Sequence, residues 1–180
     1  DQICGAASAS YINHAKVIQR VESGDIKSIQ SGQKLDIERL LLLQPDLILC
    51  TSLGEGQMGV FPQLQRAGLP VVLTADYMEH HPLARAEWLK FLAAFFESED
   101  RGNEIFNTIK AQYTSLVDKT KGIDERPSVF CGAPYSGSWY VPGGDSFIAR
   151  AINDAGAHYL WADDPSRGSL PLDSERVFLK

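Results

Sequence analysis

LDIERLLLLQPDLILCTS (35–52) decides the fold. Asp36 is placed to N-cap a helix over Ile37–Leu43, because its carboxylate can accept the free amide protons of the first turn. Pro45 stops that helix. Asp46–Thr51 then reads as a buried strand whose apolar run is continuous rather than alternating, as in a parallel sheet covered on both faces. Near the other end, LDSERVFLK (172–180) repeats the opening of the same unit: Leu35, Asp36, Glu38, Arg39 and Leu42 recur as Leu172, Asp173, Glu175, Arg176 and Leu179. A repeated helix-to-strand unit predicts two similar lobes. The second copy reaches Lys180 where its own Pro-Asp strand is due, so the chain reads as a piece of a longer protein. Two lobes facing one another make a cleft, and clefts bind ligands.

Outward from the first copy the same rhythm holds. Ile3–Ala7 is predicted as a strand, Ile12–Val21 as a helix stopped at Gly24, and Ile26–Ile29 as a weak strand, with a turn at Ser31-Gly32. Val60–Ala67 is predicted as a helix ended by Gly68, and Pro70–Thr74 as a buried strand. Strands alternating with helices over short connections argue for a parallel, doubly covered sheet. Pro82 then opens a helix running to about Phe96. Ser98 is placed to cap a second helix, which carries Ile105, Phe106, Ile109, Tyr113, Leu116 and Val117 at helical spacing to about Lys121. At about 1.5 Å per residue this rod is roughly 34 Å long, which suits a strut between lobes. After Pro127 the strand pattern returns at Val129–Ala133 and Trp139–Val141. A helix over Asp145–Ala155 follows, and a polar loop over Asp163–Gly168 leads to the repeat. The expected architecture is α/β, with two doubly wound lobes of parallel sheet joined by a long rigid helix and the second lobe incomplete in this chain. Residues 1–97 are the first lobe, 98–122 the linking helix, and 123–180 the start of the second lobe.

The apolar fraction of 44% supports a core, and the net charge of −6 argues against a nucleic-acid partner. No apolar run approaches the length needed to span a bilayer. Cys4, Cys50 and Cys131 lack CxxC spacing and read as small buried hydrophobes. Gly143-Gly144-Asp145-Ser146 lacks the lysine and spacing of a phosphate-binding loop, and Asp145 reads as the cap of the next helix. Neither Ser136 nor Ser146 lies in G-x-S-x-G, so no nucleophile motif supports a hydrolase.

LDIERLLLLQPDLILCTS (35–52), LQRAGLPVVLT (64–74), HPLARAEWLKFLAAFF (81–96) and GSWYVPGGDSFIARAINDAGAHYLW (137–161) resemble the class III periplasmic binding proteins of ABC importers. These are receptors for ferric siderophores, haem and cobalamin. The last two stretches resemble the iron-complex branch. The resemblance covers nearly the whole chain. It implies a non-enzymatic, monomeric receptor that captures a ferric siderophore or similar iron chelate and delivers it to an ABC transporter permease. It also implies a precursor with a signal peptide, and a mature protein that is periplasmic or lipid-anchored on the outer face of the cytoplasmic membrane. No cofactor is implied beyond the bound metal chelate. Cobalamin or haem is the alternative within the class. A direct zinc or manganese receptor using His80, His81 and Glu79 is the rival outside it.

In such a fold the ligand meets loops at strand ends. Those loops offer Tyr11, Thr51, Ser52 and Tyr77 from the first part of the chain, and Tyr135, Trp139, Tyr140 and Arg167 from the second. Aromatic rings give flat apolar area with a polar tip, which suits a bulky chelate. Arg167 is suited to the carboxylates or negative charge of such a ligand. Trp139 and Tyr140 are strand neighbours and so point to opposite faces, leaving at most one toward a cleft. The family docks on its permease through an acidic residue on each lobe. Glu55 matches the first by position; at Gly156–His158 no acid matches the second, and Asp154 is the nearest.

Overall fold

The structure, a computed structural model, describes residues 2–31, 34–51 and 60–179. It divides into two compact units, residues 1–75 and 76–180.

In the first unit, β1 (Gly5–Ala6) pairs in parallel with β2 (Lys27–Ser28), the helix α1 (Ala15–Glu22) lying between them in the chain. β3 (Gln30–Ser31) pairs antiparallel with β4 (Lys34–Leu35), which leads into α2 (Ile37–Leu43). The Asp36 cap is present: its carboxylate accepts the Arg39 amide proton at 2.9 Å. β5 (Ile48–Thr51) then runs parallel to β6 (Val71–Thr74) in the register Ile48↔Val71 and Thr51↔Thr74, joined through α3 (Val60–Arg66). Leu40 of α2 and Leu64 of α3 are buried with Leu69, and Ile48 and Val71 pack against them. Each such leucine contributes about 1.5–3 kcal/mol through burial. Leu49 and Leu73, which alternate with Ile48 and Val71 along the two strands, are 45% and 40% exposed.

The second unit begins with a helical hairpin, α4 (Pro82–Ala94) and α5 (Glu99–Thr120). Pro82 occupies the first turn of α4, where its missing N–H costs nothing. The helices approach so closely that a Cβ on Gly102 would lie 2.7 Å from that of Ala93. The Lys90 ammonium sits 4.0 Å from the centroid of the Phe106 ring. This packing puts α4 in the same unit as α5, so the division falls at 75/76, whereas the sequence reading kept 1–97 together. Ser98 stands at the cap position of α5, but its hydroxyl donates back to the Phe96 carbonyl instead of capping.

Beyond the hairpin, β7 (Ser128–Val129) pairs in parallel with β10 (His158–Tyr159) across α6 (Phe147–Asp154). An antiparallel three-stranded sheet is added, in the order β11 (Ser169–Leu172), β9 (Ser138–Pro142), β8 (Ala133–Tyr135). The core joins Val141, Ala149, Tyr159, Trp161, Leu172 and Val177. α7 (Ser174–Phe178) carries the second copy of the repeat, so each copy enters its helix from a strand: β4 into α2, β11 into α7. Asp173 holds the position of Asp36 but makes no side-chain cap. Among the described residues no helix is long and apolar enough to cross a membrane.

Candidate functional site

The hairpin β8–β9 turns through Ser136 and Gly137, at φ 48° and 83°. Two consecutive positive φ values make the tight two-residue turn whose twist matches that of the strands. Alternation then sorts the side chains. Trp139 and Val141 face inward: Val141 is fully buried, and Trp139 packs against the same core beside Cys131. Tyr135 and Tyr140 face outward, 73% and 40% exposed, with ring centroids 6.4 Å apart at 56°. Of the two neighbouring aromatics, Tyr140 is thus the one presented to solvent and Trp139 the one in the core. The Trp139 indole lies 6.0 Å from the Phe130 ring, and its buried Nε1–H has no hydrogen-bond partner among the described residues. Gly132, at φ 122°, runs so close to β9 that a side chain there would strike the Tyr140 carbonyl.

Arg167 is exposed, and its Nε donates to Asp145 at 3.0 Å. Asp145 therefore does not cap α6 as its sequence position suggested. Ser146 does so, its hydroxyl accepting the Ala149 amide proton at 3.2 Å. The strand-end hydroxyls of Thr51 and Thr74 lie 2.9 Å apart, which occupies Thr51 within its own sheet. Tyr11 is almost fully exposed in a short 3₁₀ turn, Ala9–Tyr11. Tyr77 lies in another, Asp76–Met78, inside the second unit. Ser52 and Glu55 lie outside the described residues. Tyr135 and Tyr140 are thus brought together, and Arg167 is tied to Asp145, while Tyr11 and Thr51 belong to the first unit.

The sequence reading missed a polar cluster built on Asp154. This carboxylate is only 9% exposed. It accepts the Tyr113 phenol proton at 2.7 Å and the Arg150 Nε proton at 3.1 Å, and His81 Nε2 stands 4.0 Å away. Burial works to raise its pKa, but the hydrogen bonds from Tyr113 and Arg150 and the nearby positive charges outweigh it and hold the pKa below the ordinary carboxylate value. Burial together with the bond to Asp154 pushes the Tyr113 phenol up to about 12. Asp154, the nearest acid to the second expected docking position, is thus committed within the unit. The i, i+4 spacing of Arg150 and Asp154 was the one available signal; Tyr113, on another helix, gave none.

His81 is the N-cap of α4, its Nδ1 accepting the Leu83 amide proton at 3.1 Å. Glu79 accepts from the Trp88 indole at 2.9 Å. These engagements turn His81 and Glu79 to structural use. Among the described residues no three His, Cys, Asp or Glu side chains are grouped to hold a metal ion. All three cysteines are free thiols, and burial raises the pKa of Cys50 and Cys131.

The family model for periplasmic binding proteins matches residues 2–178. An uncharacterised lipoprotein of Methanocaldococcus jannaschii is 26% identical over 160 residues, 83% of this chain and 38% of its own length. A possible iron-binding, periplasmic solute-binding protein from Staphylococcus epidermidis superposes with a TM-score of 0.72 at 19% identity, over 98% of this chain and 65% of that one. A periplasmic haem-binding protein from Roseiflexus sp. RS-1 superposes with a TM-score of 0.67 at 23% identity, over 86% of this chain and 58% of that one. The chain spans less than two-thirds of the length of each of these three proteins. At such identities the two solved structures speak for the α/β fold, and the match over nearly every residue speaks for descent. The chain belongs to the periplasmic binding protein family and is thereby an extracytoplasmic protein.

Proposed function

We propose that the protein is a solute receptor, not an enzyme, that captures a chelated metal and hands it to an ABC importer. A ferric siderophore is the first choice of ligand, and no separate cofactor is needed. The observation that carries this reading is the outward pair Tyr135 and Tyr140, two rings 6.4 Å apart on a hairpin whose opposite face is anchored in the core. A rigid strand pair presenting two exposed rings offers flat apolar contact with little ordering cost, as a bulky chelate requires. Arg167, exposed and paired with Asp145 at 3.0 Å, is the proposed cation for an anionic chelate. Tyr11, Tyr77, Thr51 and Ser52 complete the proposed ligand set, and Glu55 the proposed docking acid.

Haem is the second reading, favoured by the fold likeness to a haem-binding protein; cobalamin stands with it as the alternative of the same class. The lipoprotein relative supports attachment by a lipid anchor, with a free periplasmic form as the other possibility. The receptor works as a monomer with a membrane permease as its partner. The test is a titration of the full-length protein, followed by intrinsic tryptophan fluorescence, with ferric catecholate and hydroxamate siderophores, haem, cobalamin and free Zn²⁺ or Mn²⁺. Saturable quenching by one ferric chelate class at micromolar concentration or below supports the proposal. Response to haem or cobalamin alone moves the ligand to the second reading. Response to free ions alone, or to nothing, overturns chelate capture.

A further inference from the structure

A cavity of about 320 Å³ opens within the second unit, at the low end of the size range of ligand pockets. His80 and His81 border it from the start of α4, Arg150 and Asn153 from α6, and His158 from β10. Ala149, Ala157 and Tyr159 supply apolar wall. We infer that this cavity binds a small molecule through an oxyanion group, a carboxylate or a phosphate, seated on the Arg150 guanidinium.

The argument begins with how Arg150 is held. Its Nε is spent on Asp154 at 3.1 Å, and Asp154 is in turn fixed by the Tyr113 phenol at 2.7 Å. A buried carboxylate, itself bonded from another helix, thus orients the guanidinium. Its terminal N–H groups make no hydrogen bond among the described residues, and these are the donors that match the two oxygens of a carboxylate or phosphate. His80, Asn153 and His158 likewise have side chains without a partner among the described residues, so three further donors line the same space. The nearby acids do not oppose an anion. Asp154 spends its oxygens on Arg150 Nε and the Tyr113 phenol, and Asp145, which also lines the cavity, is paired with Arg167 at 3.0 Å. A metal ion is the poorer occupant, because no three ligating side chains are grouped among the described residues.

This inference does not depend on chelate capture. It is tested by titrating the isotope-labelled full-length protein with inorganic phosphate and, separately, with acetate, following the imidazole signals of His80, His81 and His158 by NMR. Saturable shifts at millimolar concentration or below are expected, weakened about tenfold or more by Arg150→Gln and several-fold by His158→Ala. Response to acetate but not phosphate supports the inference and names a carboxylate as the ligand group; the reverse names a phosphate. Should Arg150→Gln unfold the protein, Asn153→Ala and His158→Ala, at exposed side chains without partners, carry the test. Absence of imidazole shifts with both anions overturns the inference, as does unchanged affinity in the folded variants.

Discussion

Tyr113 and Asp154, 41 residues apart, are joined by a 2.7 Å hydrogen bond from phenol to carboxylate. It ties the middle of α5 to the end of α6. A hydrogen bond to a charged, nearly buried acceptor is worth about 1.5–3 kcal/mol, whereas the half-exposed Arg150 adds about 0.3–0.5 kcal/mol as an i, i+4 partner. Tyr113→Phe is therefore expected to lower the unfolding free energy by about 1.5–3 kcal/mol, and Arg150→Gln by much less. Urea unfolding at neutral pH separates the two. Equal losses would show that the ion pair, not the phenol, holds Asp154.

The same pair gives the protein an acid limb and an alkaline limb. The folded pKa of Asp154 is lowered, so its contribution to stability is present above the unfolded value, about 3.9, and is lost as pH falls through the folded value. The folded pKa of Tyr113 is raised to about 12, so its contribution is full below the unfolded value and is lost as pH rises to about 12; the unfolded value is about 10. Asp154→Asn should be less stable than the parent at pH 7 but lose less on acidification. Stability against pH for both proteins checks this; parallel acid limbs would remove Asp154 as the cause.

Tyr135, Tyr140 and Trp139 should separate binding from stability. Tyr135→Ala and Tyr140→Ala remove exposed rings and are expected to leave the unfolding midpoint nearly unchanged, within about 0.5 kcal/mol. Under the proposed function they weaken chelate binding at least several-fold. Trp139→Ala opens space beside Val141 and Cys131 in the core and is expected to cost about 3 kcal/mol. Thermal melts and binding titrations on the three variants decide it. A Trp139→Ala protein as stable as the parent would move that ring out of the core, and unchanged binding in both tyrosine variants would remove them from the site.

Much of the fold was legible because local chemistry decided it. Asp36 caps, Ile37–Leu43 is helical, and the stripe from Ile105 to Val117 lies on one helix, all as their spacing required. β11 was not legible: Pro171 in Ser169–Leu172 argues against a strand. It is tolerated because β11 is an edge of its sheet, and Pro134 sits likewise on the opposite edge, in β8. The cap of α6 was misplaced by one residue, since Asp145 and Ser146 are both good caps and only backbone geometry chooses between them. The face of Tyr140 against that of Trp139 followed once pairing with β11 put Leu172 opposite Trp139 in the core. Of the Asp154 cluster only the Arg150–Asp154 spacing within α6 was legible, because Tyr113 and His81 come from other elements and periodicity within one element does not report partners on another.

Gly102 offers a test of the α4–α5 contact in which two effects compete. Gly102 lies in the first turn of α5, where replacing glycine by alanine favours the helix by up to about 1 kcal/mol. Here the added methyl would stand 2.7 Å from the Ala93 Cβ, closer than carbon atoms tolerate, so the helices must part, which costs about 1–3 kcal/mol. The steric term should win, and Gly102→Ala is expected to destabilise by up to about 2 kcal/mol. Ala93→Gly alone should also destabilise, through lost helix propensity and a small void. In the double variant the clash is gone and the propensity gain at 102 is kept, so it should be more stable than the sum of the single changes predicts. A double-mutant cycle by urea unfolding measures that coupling. Strict additivity would mean that Gly102 and Ala93 do not meet, and with it the packing that places α4 beside α5 would fall.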